Sequence, residues 1–108
     1  MPNVTYDDFA KLDLRIAKIV FTEKIPGKSR IIKGIIDLGD EKREVVIGGA
    51  EYYQPEELVG KTVVVIANLE PRKIGGFESN AMLLAADVND KPFWLTVQED
   101  VPLGTKIK

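Results

Sequence analysis

The segment Ile31-Ile-Lys-Gly-Ile-Ile-Asp-Leu-Gly-Asp-Glu-Lys-Arg-Glu-Val-Val-Ile47 decides the fold class of this 108-residue chain. Residues 30–38 place apolar side chains at every second position, which is the pattern of a strand with one buried face. Gly39-Asp40 signals a turn and residues 44–47 form a return strand, so the segment predicts a β-hairpin. Gly34 inside the first strand predicts a bulge or sharp coil, of the kind that a small barrel needs at its corners.

The rest of the chain adds further strands and two short helices. In order, the predicted elements are a helix over 5–12 capped by Thr5, strands over 14–25, 30–38 and 44–47, a helix starting at Pro55 and closed by Gly60, strands over 61–68, 81–88 and 92–97, and a tail over 101–107. A helix between the third and fourth of five or more strands is the element order of an OB-fold, although other small barrels and sandwiches share parts of it. We therefore expect a mainly β protein with a single domain over residues 1–108. This expected domain is a five-stranded Greek-key barrel with an N-terminal helix, a helix between strands 3 and 4, and a C-terminal β extension.

The composition excludes several classes of function. The chain has no Cys and no His, which rules out disulfides, thiol nucleophiles, histidine-based triads and zinc hydrolases. No arrangement of acids, bases or nucleophiles suggests catalysis, so we expect no enzyme activity, no catalytic residue, no metal site and no cofactor. The longest apolar run, Val63–Ala67, is too short to span a membrane, and acidic residues interrupt the N-terminus where a signal peptide would be apolar. We expect a cytoplasmic protein without a membrane partner.

Residues 69–80 form a long connection without hydrophobic periodicity between two apolar strands, and long connections in small domains are usually functional. Together with the strand residues at its two ends, the connection contains cations that could bind phosphates, amide and hydroxyl groups that could hydrogen-bond bases or sugars, and apolar side chains that could contact a base: Arg72, Lys73, Asn68, Ser79, Phe77 and Met82. The alternative is a surface loop whose apolar residues merely cap the barrel. The net charge of −2 gives no overall attraction to nucleic acid, so binding would need a local cluster of cations.

A set of residues along nearly the whole chain resembles the tRNA-binding domain family, which includes free-standing tRNA-binding proteins, the C-terminal domain of methionyl-tRNA synthetases and related export chaperones. The matching segments are Asp8-Phe9, Leu12-Asp-Leu-Arg-Ile16, Val46–Gly49, Tyr52–Lys61, Asn68-Leu69, Pro71-Arg-Lys-Ile74, Gly76, Ser79, Met82-Leu-Leu84 and Pro102–Lys106. The most specific part is Asn-Leu-x-Pro-Arg-Lys, followed by Gly, Ser and Met at the family's spacing.

The resemblance implies an OB-fold that binds tRNA by its shape, at the outer corner of the L, and that dimerises through its N-terminal helix and C-terminal extension. It also implies RNA contacts at four positions: Asn68, Lys73, Ser79 and Met82. From charge and strand face we add Arg72, and Arg30 and Lys33 of the second strand.

Three positions depart from the family pattern. Ala81 stands where the family usually has Gly, and it would cost about 1 kcal/mol if the backbone there needs a positive φ. Gly48 replaces a small polar residue, and Ile25 stands where relatives with other substrates often carry His.

Two functions from different classes remain open at this point. The first is structure-specific tRNA binding by a homodimer, either alone or as an accessory that joins an aminoacyl-tRNA synthetase such as methionyl-tRNA synthetase. The second is peptide binding by an export chaperone with the same dimeric fold. An exposed apolar groove at the dimer junction would favour the chaperone, and the candidates for it are Phe77, Phe93 and Trp94.

Overall fold

The computed structural model describes residues 1–108 and contains two short helices and nine strands. The elements are α1 (Tyr6–Ala10), β1 (Leu14–Lys24), β2 (Ile31–Asp37), β3 (Lys42–Gly48), α2 (Pro55–Leu58), β4 (Thr62–Ile66), β5 (Arg72–Ile74), β6 (Phe77–Ser79), β7 (Met82–Leu83), β8 (Ala85–Val88) and β9 (Lys91–Trp94). The hydroxyl of Thr5 accepts a hydrogen bond from the Asp8 amide (3.1 Å), as the predicted helix cap requires. Neither helix has the length and apolar content that a membrane-spanning helix needs.

The central sheet has the strand order β3-β2-β1-β4-β7, and all its neighbouring strands are antiparallel. The end of β6 and the residues that follow it return to β3 and nearly close this sheet into a barrel. There the Val46 amide donates to Oγ of Ser79 (3.0 Å), and the Asn80 amide donates to the Glu44 carbonyl (3.0 Å). With α2 between β3 and β4, this architecture confirms the predicted OB-type barrel.

The barrel bends at β1 rather than at Gly34. The register between β1 and β2 shifts between Ile19 and Phe21, so the irregularity predicted for β2 lies in the neighbouring strand. Gly34 serves packing instead, because a Cβ atom there would lie 2.7 Å from Cδ1 of Ile47. β1 pairs with β4 over residues 14–18 and with β2 over residues 18–24, so the pairing with β2 extends across the bulge.

The core consists of branched aliphatic side chains from the inward faces of β1 to β4. Its fully buried members include Ile19, Ile32, Ile36, Val45, Ile47, Val63 and Val65, together with Leu58 of α2. Each such side chain contributes about 1.5–3 kcal/mol by leaving water. The Thr22 hydroxyl donates to the Pro55 carbonyl (2.6 Å) and fixes the start of α2 against β1, so that Leu58 enters the core.

The segment 69–80, predicted to lack regular structure, contains the hairpin β5–β6. Its two central residues, Gly75 and Gly76, both have positive φ (61° and 88°), as a two-residue hairpin turn that follows the strand twist requires. The apolar run 81–88 also differs from the prediction, because it divides into β7 and β8 instead of forming one strand.

The predicted C-terminal β extension is present. The hairpin β8–β9 turns at Asn89 and Asp90, both with positive φ (51° and 70°). The tail then returns to the start of β1, where the Gly104 amide donates to the Ile16 carbonyl (2.7 Å) and the Ile107 amide to the Leu14 carbonyl (2.8 Å). The first and last segments of the chain are therefore joined.

Candidate nucleic-acid interface

Three neighbouring segments of the barrel carry five cations, which together we call the cationic face. It consists of Lys28 and Arg30 from the β1–β2 loop, Lys33 from β2, and Arg72 and Lys73 from β5. The hairpin β5–β6 lies over the start of β2: a Cβ atom at Gly75 would be 2.6 Å from Cδ1 of Ile31 and 3.5 Å from Cε of Lys28. Nζ of Lys33 also lies 5.6 Å from the centroid of the Phe77 ring, a cation–π distance.

Most charges of the cationic face are free to bind a ligand. Arg30 forms a loose ion pair with Glu51 (Nε to Oε2, 3.8 Å), and its side chain is 83% exposed, so the pair contributes little. Lys28, Lys33, Arg72 and Lys73 take part in none of the four salt bridges of the molecule. Glu78 is the cross-strand neighbour of Lys73 but does not pair with it. Four of the five cations of this face are therefore not engaged in ion pairs.

An apolar cleft of about 220 Å³, which we call the Met82 cleft, adjoins the cationic face between β3 and β7. Its lining includes Ile31, Val46, Ile74, Met82, Leu83 and Trp94, with Arg72 shared between the cleft and the cationic face. Met82 is 40% exposed, so its thioether side chain is accessible to a base or a sugar. The predicted combination of phosphate-binding cations with an apolar contact is thus brought together at Arg72 and Met82.

Asn68 and Ser79 use their hydrogen-bonding groups within the chain. The Asn68 side chain donates from Nδ2 to the Lys11 carbonyl (2.7 Å) and accepts from the Asp13 amide at Oδ1 (2.8 Å). Ser79 is only 5% exposed, and its hydroxyl, which accepts from Val46, also donates to the Ala81 carbonyl (3.0 Å). This geometry gives both residues a role in positioning the backbone of the site, and direct RNA contact by either remains a prediction.

The departures from the family pattern do not disturb this region. Ala81 is buried, and the positive φ values of residues other than Gly are confined to Asn89 and Asp90. The conformational cost considered for Ala81 therefore does not arise. Gly48 is exposed, and a Cβ atom there would meet no neighbouring atom within 4 Å, so its backbone does not demand glycine.

Arg43 is a structural residue that the sequence reasoning missed. Its guanidinium donates to the Ala67 carbonyl at the end of β4 and to the Asn80 carbonyl (3.2 Å), and it pairs with Glu41. These bonds connect β3 to both ends of the segment that carries Arg72 and Lys73. In the sequence Arg43 stands beside Lys42, and nothing in the pattern of charges distinguishes the two.

Helix α1 projects from the barrel without burying any residue. Its apolar side chains are exposed, with Tyr6 at 76% and Phe9 at 38%. Asn68 holds the connection from α1 to β1, where Nε of Arg15 also donates to Oδ1 of Asp13 (3.0 Å). This hydrogen bond and the attraction of the carboxylate raise the pKa of Arg15, which keeps it cationic.

The three aromatic candidates for an apolar groove lie in different surroundings. Phe77 is half-buried against Lys33, whereas Trp94 is half-buried against the Tyr53 ring, with a centroid separation of 6.2 Å. Phe93 is 46% exposed, and Nζ of Lys91 lies 5.2 Å from its ring centroid. Phe93 and Trp94 line one shallow depression together with Tyr53, whereas Phe77 lies outside it.

Comparison with known proteins gives consistent matches over the whole chain. Residues 14–106 match a family model described as a putative tRNA binding domain. The methionine–tRNA ligase of Methanocella arvoryzae is 53% identical over 109 aligned residues, which cover 100% of this chain and 16% of that protein. The methionine–tRNA ligase of Thermotoga maritima is 53% identical over 104 residues, covering 96% of this chain and 16% of that protein. The chain thus spans about one sixth of the length of these relatives.

Solved structures with the same fold include proteins of two kinds. The MetRS related protein from Pyrococcus horikoshii superimposes with a TM-score of 0.92 at 37% identity and is covered completely, as is this chain. The chaperone CsaA from Bacillus anthracis superimposes with a TM-score of 0.91 at 27% identity, over 99% of this chain and 100% of that one. The barrel shape alone therefore does not separate the two functions considered above.

Proposed function

The chain belongs to the tRNA-binding domain family, and from this premise we propose that it is a non-catalytic module that binds folded tRNA by its shape, at the outer corner of the L. The approach of the β5–β6 hairpin to Lys28 and Lys33, with Arg72 beside Met82 in the cleft, carries the proposal. Arg72, Lys73, Arg30 and Lys33 contact phosphates, and Met82 packs against a base or sugar. Asn68 and Ser79 hold the backbone around them.

The net charge of −2 is compatible with this function, because only the local field at the face has to be positive. Each phosphate neutralised by a Lys or Arg side chain releases condensed counterions from the RNA. Binding that uses four or five such contacts falls steeply as salt rises. Contacts to phosphates alone do not read sequence, so selection among RNAs depends on whether the backbone follows the face, as expected of a shape reader.

A homodimer is the proposed functional form. The exposed apolar residues of α1 and the exposed Phe93 of the C-terminal extension support it, because two small unpartnered apolar surfaces gain stability when a second copy covers them. Two copies would also present two cationic faces to one RNA.

The identity to methionine–tRNA ligases supports a further role as an accessory that supplies tRNA affinity to an aminoacyl-tRNA synthetase. A tRNA ligand also agrees with the expected cytoplasmic location.

Fluorescence anisotropy of labelled bulk tRNA, titrated with the protein at two salt concentrations, tests the proposal. We expect salt-sensitive binding to folded tRNA and much weaker binding to a single-stranded RNA control. Lys73→Ala should weaken binding to all tRNA species and lower the slope of log affinity against log salt by about one. The matched control is Lys18→Ala, which removes an exposed cation from β1, outside the cationic face. Equal slopes for Lys73→Ala and wild type would exclude Lys73 as a phosphate contact.

Peptide binding of the chaperone type is the second candidate function. The similarity to CsaA and the exposed apolar residues of α1 and β9 favour it. It predicts that an unfolded apolar peptide binds the protein at tens of micromolar and that tRNA does not. If tRNA fails to bind at that concentration while such a peptide binds, the chaperone function replaces the first proposal.

A further inference from the structure

A second concave surface lies beside the cationic face and outside the Met82 cleft. It has a volume of about 380 Å³ and lies between the β1–β2 loop and the segment that leads into α2. Its lining comes from residues 24–29, Ile32, Ala50 and residues 53–55. The volume falls within the roughly 300–1,000 Å³ typical of ligand-binding sites. We call it the loop cavity.

Hydrogen bonds fix the walls of the loop cavity before any ligand binds. The Lys28 amide donates to the Ile25 carbonyl (3.1 Å), and Gly27 has a φ of 78°, so residues 25–28 form a β-turn with Pro26 at its second position. On the opposite wall, the Tyr53 hydroxyl donates to the Pro92 carbonyl (2.7 Å), which fixes the position of the ring. A site built from such fixed elements loses little conformational entropy on binding.

The chemistry of the lining matches a small anion that carries a flat apolar ring. Ile25, Ile32, Ala50 and the Tyr53 ring form apolar walls. Lys24 and Lys28 supply two positive charges, neither of them in a salt bridge, and none of the lining residues is acidic. The hydroxyl of Ser29 and the amide of Gln54 add hydrogen-bonding groups. A nucleotide unit combines these two requirements, with a base for the walls and a phosphate for the lysines.

Lys28 joins the loop cavity to the cationic face, because its Cε lies 3.5 Å from the Cβ position at Gly75, at the tip of the hairpin β5–β6. An RNA backbone that follows the cationic face therefore passes the mouth of the cavity. The geometry points to a nucleotide-binding site: we propose that the loop cavity takes one unstacked nucleotide of the bound RNA, with its base against Tyr53 and Ala50 and its phosphate at Lys24 and Lys28. This inference rests on the proposed tRNA function.

The first test uses the four ribonucleoside 5′-monophosphates, each added separately to the isotope-labelled full chain, with inorganic phosphate as the reference probe. We expect the nucleotides to shift the amide resonances of residues 25, 27–29 and 50–54 more than phosphate does. Identical shifts from nucleotides and phosphate would show that the cavity binds phosphate alone and would overturn the role of the base. Shifts confined to residues 72–82 would place the nucleotide in the Met82 cleft and would also overturn the inference.

The second test fills the cavity mouth with Ser29→Trp and uses Gln98→Trp as the matched control. Both positions are exposed, and Gln98 does not line the cavity. Because stacking of one base contributes about 1–3 kcal/mol, Ser29→Trp should weaken tRNA binding by about fivefold or more and abolish the nucleotide-induced shifts, while Gln98→Trp should do neither. Equal melting temperatures establish that both variants are folded.

The outcomes separate this inference from the proposed function. Wild-type tRNA affinity of Ser29→Trp, with the Lys73→Ala effect intact, would overturn the cavity site and leave tRNA binding in place. Absence of tRNA binding by the unmodified chain would overturn the proposed function. If mononucleotides still shifted the cavity resonances in that case, the site would bind free nucleotides, and its assignment to RNA would be wrong.

Discussion

Replacement of Arg43 by methionine tests whether its guanidinium holds the barrel closed. Arg43 lies on β3, and its side chain is 29% exposed. It donates to the backbone carbonyls of Ala67 and Asn80, which bracket the segment carrying the predicted RNA contacts. Methionine preserves most of the aliphatic volume and removes the donors, so the substitution isolates the hydrogen bonds from the packing.

The expected loss follows from the number and type of these bonds. A hydrogen bond from a charged donor contributes about 1.5–3 kcal/mol, and carbonyls that lose a buried donor add a desolvation cost. Water reaches this partly exposed site and replaces part of what is lost, and the pair with Glu41 contributes little because the Glu41 side chain is 47% exposed. We therefore expect Arg43→Met to lower the free energy of unfolding by about 3 kcal/mol.

Urea unfolding measures this change directly. With an m-value of about 1–3 kcal/mol/M for a small domain, a loss of this size lowers the midpoint by about 1–3 M. In a thermal melt it corresponds to a fall of about 10–20 °C. Lys42→Met is the matched control, because it removes a neighbouring but exposed cation from the same strand and should leave the midpoint nearly unchanged. A difference of less than about 0.5 kcal/mol between the two variants would refute the structural role of Arg43.

Two further predictions separate positioning from RNA contact. Ser79→Ala should lower the free energy of unfolding by about 1–3 kcal/mol, because the Val46 amide and the Ala81 carbonyl lose their partner, and it should leave the tRNA affinity of the folded protein within about twofold; lower affinity at unchanged stability would instead identify Ser79 as a contact. Asn68→Asp keeps the acceptor for the Asp13 amide but cannot donate to the Lys11 carbonyl, so hydrogen exchange of residues 6–13 should accelerate several-fold while core amides of β4 stay protected; unchanged exchange with weaker tRNA binding would contradict this role.

The main strands and both helices were predictable because each carries a strong local signal. Alternating apolar residues identify β2, and Thr5 and Pro55 mark helix starts. The hairpin β5–β6 was missed because strands of three residues are too short to show alternation, although Gly75-Gly76 is a recognisable turn signal. In regions of weak local signal, the tertiary contacts decide the structure.

The site was less predictable than the fold. The cations Arg72 and Lys73 stand out in the sequence, but the approach of their hairpin to Ile31 and Lys28 at Gly75 is not encoded in any local pattern. The burial of Ser79 depends in turn on a backbone amide of β3 that β2 leaves unpaired, so a polar residue in an apparent loop becomes part of the interior. Such roles arise from topology, and a one-dimensional pattern does not contain them.

The contact between the tail and β1 has a consequence for the order of folding. The Ile16 amide donates to the Thr105 carbonyl, a partner about 90 residues away along the chain, so the first strand cannot complete its hydrogen bonds until the last segment has been synthesised. Closing so long a loop has an entropic cost that only late contacts repay. During translation the start of β1 would keep one edge unpaired until residues 104–107 are synthesised, and these residues would then complete its hydrogen bonds. A chain that ends before residue 104 should therefore lack the partners of Leu14 and Ile16 along this edge of β1.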